Sequence, residues 1–408
     1  MNTVKPSRLR RVLVVLHRYT GLALGLAFVV LGLTGSAAVY WRELDRAMRP
    51  SLAVEERNEP KLSLDALLAV AKNADPQRHK PWTLEMQYDA KSPVYAIYSR
   101  PEERPIEFGS NLYVAIDPYD GRIVDRWYYG ETPATWLIDL HIMFMAGLAG
   151  HQLVGWLGIV LIAFSLTGLY LWWPRGRFAK RDFTVKTGAG ASRLELDLHK
   201  AFGFYTLPFM ILFGLTGYMM VFPATMKGLV RAVAPDSLAI ETPRDIHGGN
   251  EAHGTSTAHG MHGHKDTRYI ESTPRPGVSS IGVDRAVELA LREFPGSKLM
   301  RISTPGGEKG VYGVTLRHPT ERMHKTYPMT EVWLDQYDGH VLVKSDPRTH
   351  SFGQKFIDSP LPLHNGEALG AFGRVLAVIL GLIPLGLFVT GLLQWLRRQR
   401  LRSRSSTA

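Results

Sequence analysis

The 408-residue chain contains no cysteine. Disulfides, Cys-ligated iron–sulfur clusters and thiol redox chemistry are therefore excluded. It also lacks a G-x-G-x-x-G on a βαβ pattern, so no flavin or nicotinamide domain is evident. Electrons for any redox step must then come from another molecule. Charge is missing from four long stretches. Tyr19–Tyr40, Leu153–Trp173, Ala201–Phe222 and Val375–Leu396 hold no Asp, Glu, Lys or Arg. Each approaches the ~20 residues that cross ~30 Å of hydrocarbon. A mean hydropathy of −0.07 hides them, because long polar segments dilute the average. The lack of Asp and Glu within the stretches argues against the carboxylate relay of many ion-coupled carriers.

What charge there is amounts to +11, and much of it flanks the apolar stretches. Lys5, Arg8, Arg10 and Arg11 precede the first. Arg175, Arg177, Lys180, Arg181 and Lys186 separate the second from the third, and Arg397, Arg398, Arg400, Arg402 and Arg404 follow the fourth. Basic residues favour the cytoplasmic side, so both termini and the middle loop are expected there and the long segments outside. This distribution accounts for the charge without a nucleic-acid partner. The first stretch is too long for a signal-peptide core and no A-x-A site follows it, so it is expected to be a retained span.

Two phrases recur. Leu16-His17-Arg18, Gly21, Gly32, Thr34 and Gly35 return as Leu198-His199-Lys200, Gly203, Gly214, Thr216 and Gly217, a shift of 182. Leu140-His141, Gly147, Gly150, Thr167, Gly168 and Trp172 return as Leu363-His364, Gly370, Gly373, Thr390, Gly391 and Trp395, a shift of 223. Histidines held in register within duplicated apolar helices point to a cofactor between helices. The segments between the spans also match. Leu62–Lys72 and Val283–Glu293 read as amphipathic helices. Three strand-like runs follow each, the third ending in Asp117-Pro118-Tyr119-Asp120-Gly121 or Asp335-Gln336-Tyr337-Asp338-Gly339. Asp-Gly supplies the positive φ angles of a hairpin turn.

The expected fold is membrane α-helical: a four-helix transmembrane bundle of two span–domain–span repeats, its pseudo-twofold axis along the membrane normal. The expected boundaries are 1–40 for a cytoplasmic segment and first span, 41–135 for an outer domain, and 136–174 for the second span with an outer extension. A cytoplasmic loop covers 175–197, the third span 198–222, a second outer domain 223–357, the fourth span 358–396 and a basic tail 397–408. Residues 247–264 break the symmetry. They place His247, His253, His259, His262 and His264 among glycines, without apolar periodicity, and read as a flexible insertion.

The L-H-[RK]…T-G and L-H…G…T-G…W-W-P-R phrases, around segments ending in D-x-Y-D-G, resemble the PepSY-associated transmembrane family over nearly the whole chain. The resemblance implies two periplasmic α+β PepSY-like domains and a bacterial inner (cytoplasmic) membrane protein. Some members are iron-regulated, and some are ferric-siderophore reductases carrying b-type haem. The implied activity is passage of electrons across the membrane, through one or two haem b groups, to reduce a periplasmic ferric chelate such as a ferric siderophore. The donor would be cytoplasmic or a quinol, and the arginine-rich cytoplasmic face suits an acidic partner. Two other readings stand. One is a non-enzymatic regulator or assembly factor, since PepSY domains resemble inhibitory propeptide modules. The other is a metal-delivery protein using the His-rich insertion.

Neutral imidazole is a common axial haem ligand. His17 and His199 form the expected inner pair; the rival reading is an interfacial histidine beside Arg18 or Lys200. His141 and His364 form the expected outer pair, with Gly147, Gly150, Gly370 and Gly373 admitting either a flat macrocycle or a packed helix. His151 corresponds to Arg374. The histidine suits a ligand, a propionate partner or a proton-handling group, and the arginine a haem propionate. On a straight helix His141 lies ~48 Å from the level of Trp173. That exceeds a bilayer core, so His141 and His364 are expected on helical extensions into the outer domains or on strongly tilted helices. The five imidazoles of the insertion suit Zn, Cu, Ni or haem, or bind metal only adventitiously. His318, His324, His340 and His350 read as surface residues.

Overall fold

The structure is a computed structural model and describes residues 7–86, 91–99, 101–103, 110–173, 183–238, 270–321 and 328–406. The His-rich stretch 247–264, with His247, His253, His259, His262 and His264, lies outside the described residues, as do His324, Arg175, Arg177, Lys180 and Arg181. In chain order the elements are α1 (Arg8–Ala38), α2 (Trp41–Met48), α3 (Leu64–Ala74), β1 (Trp82–Glu85), β2 (Val94–Ser99), β3 (Asn111–Ile116), β4 (Ile123–Tyr128), α4 (Pro133–Met143) and α5 (Gly147–Trp172). Then come α6 (Ala191–Tyr205), α7 (Leu207–Val221), α8 (Pro223–Val233), α9 (Val283–Glu293), β5 (Lys298–Ser303), β6 (Val311–Arg317), β7 (Thr330–Asp335) and β8 (Val341–Ser345). Helices α10 (Phe352–Asp358), α11 (Pro360–His364), α12 (Gly370–Gly381) and α13 (Ile383–Ser406) complete the chain. Two compact units result. One holds Met1–Tyr40, Leu137–Met226 and Ser359–Ala408; the other holds Trp41–Trp136 and Lys227–Asp358.

In the helical unit, Arg8–Ala38, Gly147–Trp172 and Glu367–Ser403 are long and apolar enough to cross a membrane, and α6 with α7 makes a fourth if that pair is one span. The sequence reading had this third span unbroken from 198. The helix instead begins at Ala191 and bends by 57° between α6 and α7. The cause is Pro208 in the first turn of α7, which has no N–H to give the preceding turn. Pro384 sits similarly just inside α13, beyond the break at Leu382. The matching positions 182 and 223 residues earlier are Leu26 and Leu161, and there α1 and α5 run through without a break.

Glycine sets how these helices meet. Helix α1 packs on α12 and α13, and α5 packs on α7. A Cβ on Gly32 would strike the Gly381 carbonyl, and one on Gly214 would strike the Gly158 carbonyl. Gly32 and Gly214 are 182 apart, and Gly158 and Gly381 are 223 apart, so the same backbone contact occurs twice. Small residues at such crossings let backbones approach closely.

The second unit corrects the expectation of two separate outer domains. Both segments contribute to one antiparallel eight-stranded sheet, ordered β4-β3-β2-β1-β5-β6-β7-β8. Alone, each four-stranded half would leave β1 or β5 as an open edge, with unpaired backbone donors and acceptors. Pairing β1 with β5 closes both edges. Leu84 lies opposite Ile302, its own counterpart at a shift of 218, so an approximate twofold passes through the sheet. Both residues are fully buried, each burial contributing about 1.5–3 kcal/mol.

Helices α3 and α9 cover one face and bury Leu67, Ala71, Ala286 and Ala290 against the strands. Their N-termini cap each other. The Asp65 carboxylate accepts from the backbone N–H groups of Val283 (2.7 Å) and Asp284 (3.1 Å). The Asp284 carboxylate accepts from those of Leu64 (2.9 Å) and Asp65 (3.1 Å). Each carboxylate thus satisfies orphan donors at the start of the other helix, where the macrodipole also favours negative charge. The expected hairpin turns form, with φ +76° at Gly121 and +73° at Gly339. His350, read as a surface residue, is largely buried. Its Nδ1 pairs with Asp358 (2.8 Å) and its Nε2 with Ser345 (3.0 Å), strapping α10 to β8.

Candidate functional site

The four repeat-related histidines all belong to the helical unit: His17 on α1, His141 on α4, His199 on α6 and His364 on α11. They meet in two pairs. The rings of His17 and His199 lie 6.5 Å apart, centre to centre, and those of His141 and His364 lie 6.1 Å apart. Each pair joins equivalent positions of the two repeats.

Each ring is held by the threonine of a Thr-Gly pair. His17 Nδ1 lies 3.1 Å from Thr167 Oγ1, and His199 Nδ1 lies 2.9 Å from Thr390 Oγ1. His141 Nδ1 is 3.3 Å from Thr34 Oγ1, and His364 Nδ1 is 2.8 Å from Thr216 Oγ1. The threonines' own bonds favour one tautomer. Each hydroxyl donates its single proton to a carbonyl one turn earlier: Thr34 to Val30, Thr167 to Ala163, Thr216 to Leu212 and Thr390 to Gly386, at 2.7–2.8 Å. With its proton placed there the hydroxyl accepts from the imidazole, an arrangement that favours a protonated Nδ1. His141 and His199 confirm this, since Nδ1 also faces the carbonyls of Leu31 (2.9 Å) and Leu387 (3.1 Å). Nε2 is left with its lone pair in all four rings. A proton-bearing nitrogen held by an outer partner is the usual way a metal-binding imidazole is oriented.

The glycine after each threonine faces the ring, and at Gly35 no larger residue would fit. A Cβ on Gly35 would lie 2.7 Å from His141 Cε1. On Gly168, Gly217 or Gly391 it would lie 3.5–3.6 Å from Cε1 of His17, His364 or His199. The sequence noted the Thr-Gly pairs without giving them a task. The spacing of the rings bears on what they can hold. Metal–nitrogen bonds of about 2.0–2.1 Å put two imidazoles on opposite sides of one ion at ~6.2 Å, centre to centre. Both observed separations lie close to this value, so the residues present fit an ion ligated by two imidazoles.

The depth expected for His141 is corrected. Helices α4 and α5 do not form one straight rod. Phe144 and Met145 adopt positive φ of 48° and 58°, and the chain reverses before Gly147. His141 therefore reaches back to Leu31 and Thr34, inside α1. Thr34 is 17 residues beyond His17, so the two histidine pairs are ~25 Å apart along α1. Left-handed backbone at non-glycine residues costs roughly 1–2 kcal/mol each, a strain placed directly beside this site. Gly147 and Gly370 take φ of +57° and +64°, while Gly150 and Gly373 admit the carbonyls of Met143 and Gly366. These glycines close the corners of their own chain.

His151 braces the α4–α5 corner, and Arg374 ties α12 to the end of α1. His151 Nδ1 donates to the Ile142 carbonyl (3.0 Å). Arg374 donates to the Val39 carbonyl (2.7 Å) and lies 4.0 Å over the Tyr40 ring. The structure thus pairs the four histidines and sets His151 and Arg374 apart from them. Asp139, two residues before His141, was passed over in the sequence. It is buried, and its Oδ1 has no hydrogen-bond partner among the described residues. A lone carboxylate in the apolar run Leu137–Met143 was the signal.

A profile of the PepSY-associated TM region matches residues 14–398. Among curated proteins no sequence matches significantly. The chain belongs to the PepSY-associated transmembrane family.

Proposed function

We propose that this family member is a haem b protein of the bacterial inner membrane that passes electrons outward to reduce a periplasmic ferric chelate, such as a ferric siderophore, for iron uptake. The observation that carries the reading is the double imidazole pair: ring centres 6.5 and 6.1 Å apart, with every Nδ1 bonded to a threonine and every Nε2 left as a donor atom. His17 and His199 would hold one haem, and His141 and His364 the other. Haem bound there supplies one-electron redox chemistry. The threonines would hold each imidazole in the ligating tautomer. Supporting the two-repeat, four-span bundle are the shifts of 182 and 223 and the twice-made Gly32–Gly381 and Gly214–Gly158 contacts. The same reading puts both termini in the cytoplasm and the sheet-bearing unit in the periplasm. Electrons come from a quinol or from an acidic cytoplasmic protein that docks on basic residues such as Arg398, Arg400 and Arg402.

The test is spectroscopic. Protein purified from haem-replete cells is expected to show a Soret band, low-spin bis-imidazole signals and α/β bands that appear with dithionite. Ferric chelate added to the reduced protein should reoxidise it. A colourless protein, or a coloured one whose spectrum survives replacement of all four histidines by alanine, overturns the reading.

A further inference from the structure

The open face of the sheet, opposite α3 and α9, carries a cavity that the proposed electron path does not use. It lies wholly within the sheet-bearing unit, between α2 and strands β1 to β5. One wall is aromatic. Trp127 stacks on Tyr113 with ring centres 5.6 Å apart and planes within 10°, and Tyr95 meets the Trp127 ring edge-on at 5.7 Å. The other wall is cationic. Arg42, Arg46, Arg49 and Arg301 line it against two carboxylates, Asp45 and Glu85.

Those carboxylates are already engaged. Arg49 holds Asp45 at 2.7 Å while its guanidinium lies 3.9 Å over Trp127. Arg42 and Arg301 flank Glu85 at 3.3 and 2.7 Å. Burial alone would raise the Glu85 carboxyl, but the two guanidiniums outweigh it and hold it below its usual range. Tyr95 is pushed up to about 12 by burial and by Asp45, so it stays a neutral wall. Asp125 also touches Arg49, at 3.4 Å, without lining the cavity. Four guanidiniums thus line the cavity against two carboxylates.

This cavity is not imposed by the scaffold. At the shift of 218, Tyr95, Tyr113 and Trp127 correspond to Gly313, Glu331 and Ser345. In that half, Trp333 lies over Gly313, with ring atoms about where a Cβ would be. Equivalent strands thus carry an aromatic and cationic cavity in one half and Trp333 packed on Gly313 in the other.

We propose that this cavity binds an aromatic oxyanion, a benzoate- or catecholate-type group, either free or as an arm of a larger ligand. Guanidinium forks match planar oxyanions in pairs of hydrogen bonds, and the ring of such a group would lie against a guanidinium plane and the aromatic wall. An aliphatic anion would forgo the stacking, and a neutral ring would forgo the charge. That the group is an arm of the ferric chelate rests on the reading above; the binding itself does not.

The experiment is isothermal titration of the full-length protein in detergent with 2,3-dihydroxybenzoate, with citrate and benzyl alcohol as comparison probes. Saturable one-to-one binding is expected, with citrate and benzyl alcohol at least ten-fold weaker. Arg46 is on the exposed side of α2, so R46E should keep the wild-type circular dichroism and weaken binding at least ten-fold. Trp127→Leu should weaken it by a similar factor. Absence of saturable binding, citrate as tight as dihydroxybenzoate, or wild-type affinity in R46E overturns the proposal. A colourless protein that binds the probe removes the electron-transfer reading and leaves this one. A haem-bearing protein that does not bind removes this one alone.

Discussion

In the helical unit, the paired histidines and their threonines stand at equivalent positions in the same contacts. His17 on Thr167 is repeated by His199 on Thr390, and His141 on Thr34 by His364 on Thr216. In the sheet-bearing unit, equivalence holds only on the covered face. Asp65 and Asp284 cap each other's helices, and both hairpin turns keep their buried aspartate, Asp117 or Asp335. On the open face it fails: Tyr95, Tyr113 and Trp127 stand against Gly313, Glu331 and Ser345. A ligand clamped between equivalent positions requires both copies to agree. A ligand bound by one copy leaves the other free to diverge. On the proposed readings, the contrast separates a site shared by both copies from a one-sided one.

The sharpest way to break the first half of this comparison is to remove one histidine from each copy in turn. His17→Ala and His199→Ala are each expected to abolish the same haem, lowering the haem-to-protein ratio to about half and leaving the spectrum of the other pair intact. Pyridine haemochrome assay with protein quantitation measures it. Unequal losses from the two variants would show that the copies do not share one ligand. A smaller, graded effect is expected at the threonines. Thr167→Val removes the acceptor of His17 Nδ1 without emptying the ligand position, and loss of such an outer partner typically weakens metal binding ~10–100-fold, whereas Thr390→Val leaves His199 Nδ1 the Leu387 carbonyl and should do less.

Helix contact offers the next effect in size. Gly32→Val and Gly214→Val each place side-chain atoms where the carbonyls of Gly381 and Gly158 now sit. Overpacking of this kind costs about 1–3 kcal/mol, and the two variants should lower the thermal midpoint in detergent by similar amounts. If only Gly32→Val does so, the α5–α7 contact is looser than its counterpart, in keeping with the bend at Pro208.

These equivalences also mark what was readable beforehand. The histidines, the Thr-Gly pairs and the Asp-Gly turns are short patterns whose spacing survives in one dimension, so their register could be seen. Which threonine holds which histidine could not, because His17 and Thr167 are 150 residues apart and only the packed helices bring them together. The reversal at Phe144 and Met145 was hidden for a different reason. Neither residue type signals left-handed backbone, and the straight-helix assumption placed His141 too far out. The single sheet was missed because β1–β5 pairing depends on two open edges finding each other over 218 residues, and nothing local announces it. The aromatics of the open face read simply as strand formers, since Tyr95, Tyr113 and Trp127 come from three different strands.

On the covered face of the sheet, symmetry should show in stability. Asp65→Ala removes the cap from α9 and Asp284→Ala removes it from α3, each costing roughly 1 kcal/mol. Equal shifts in urea midpoint are expected, followed by circular dichroism of the full-length protein. Unequal shifts would mean that one cap is supported by its neighbours, as Ser63 supports α3 by accepting from the Ala66 N–H at 3.2 Å.

The smallest effect distinguishes the two open faces by pH. Glu85 lies between Arg42 and Arg301, while its counterpart at the shift of 218 is Ser303. Burial opposes the Glu85 charge, but the two guanidiniums prevail, and the folded-state pKa lies below the ordinary value. A carboxyl lowered on folding binds more protons in the unfolded state. Its stabilisation is thus fully present above the unfolded value of ~4.3 and is lost as pH falls below it, through the folded-state value. Glu85→Gln should therefore be less stable than the parent at pH 7, and the gap should narrow as pH drops from about 5 toward 3. Ser303→Ala should show a gap that does not change with pH. A pH-independent gap for Glu85→Gln would mean that its carboxylate contributes packing alone, and that the charge of the open face is set by the arginines without it.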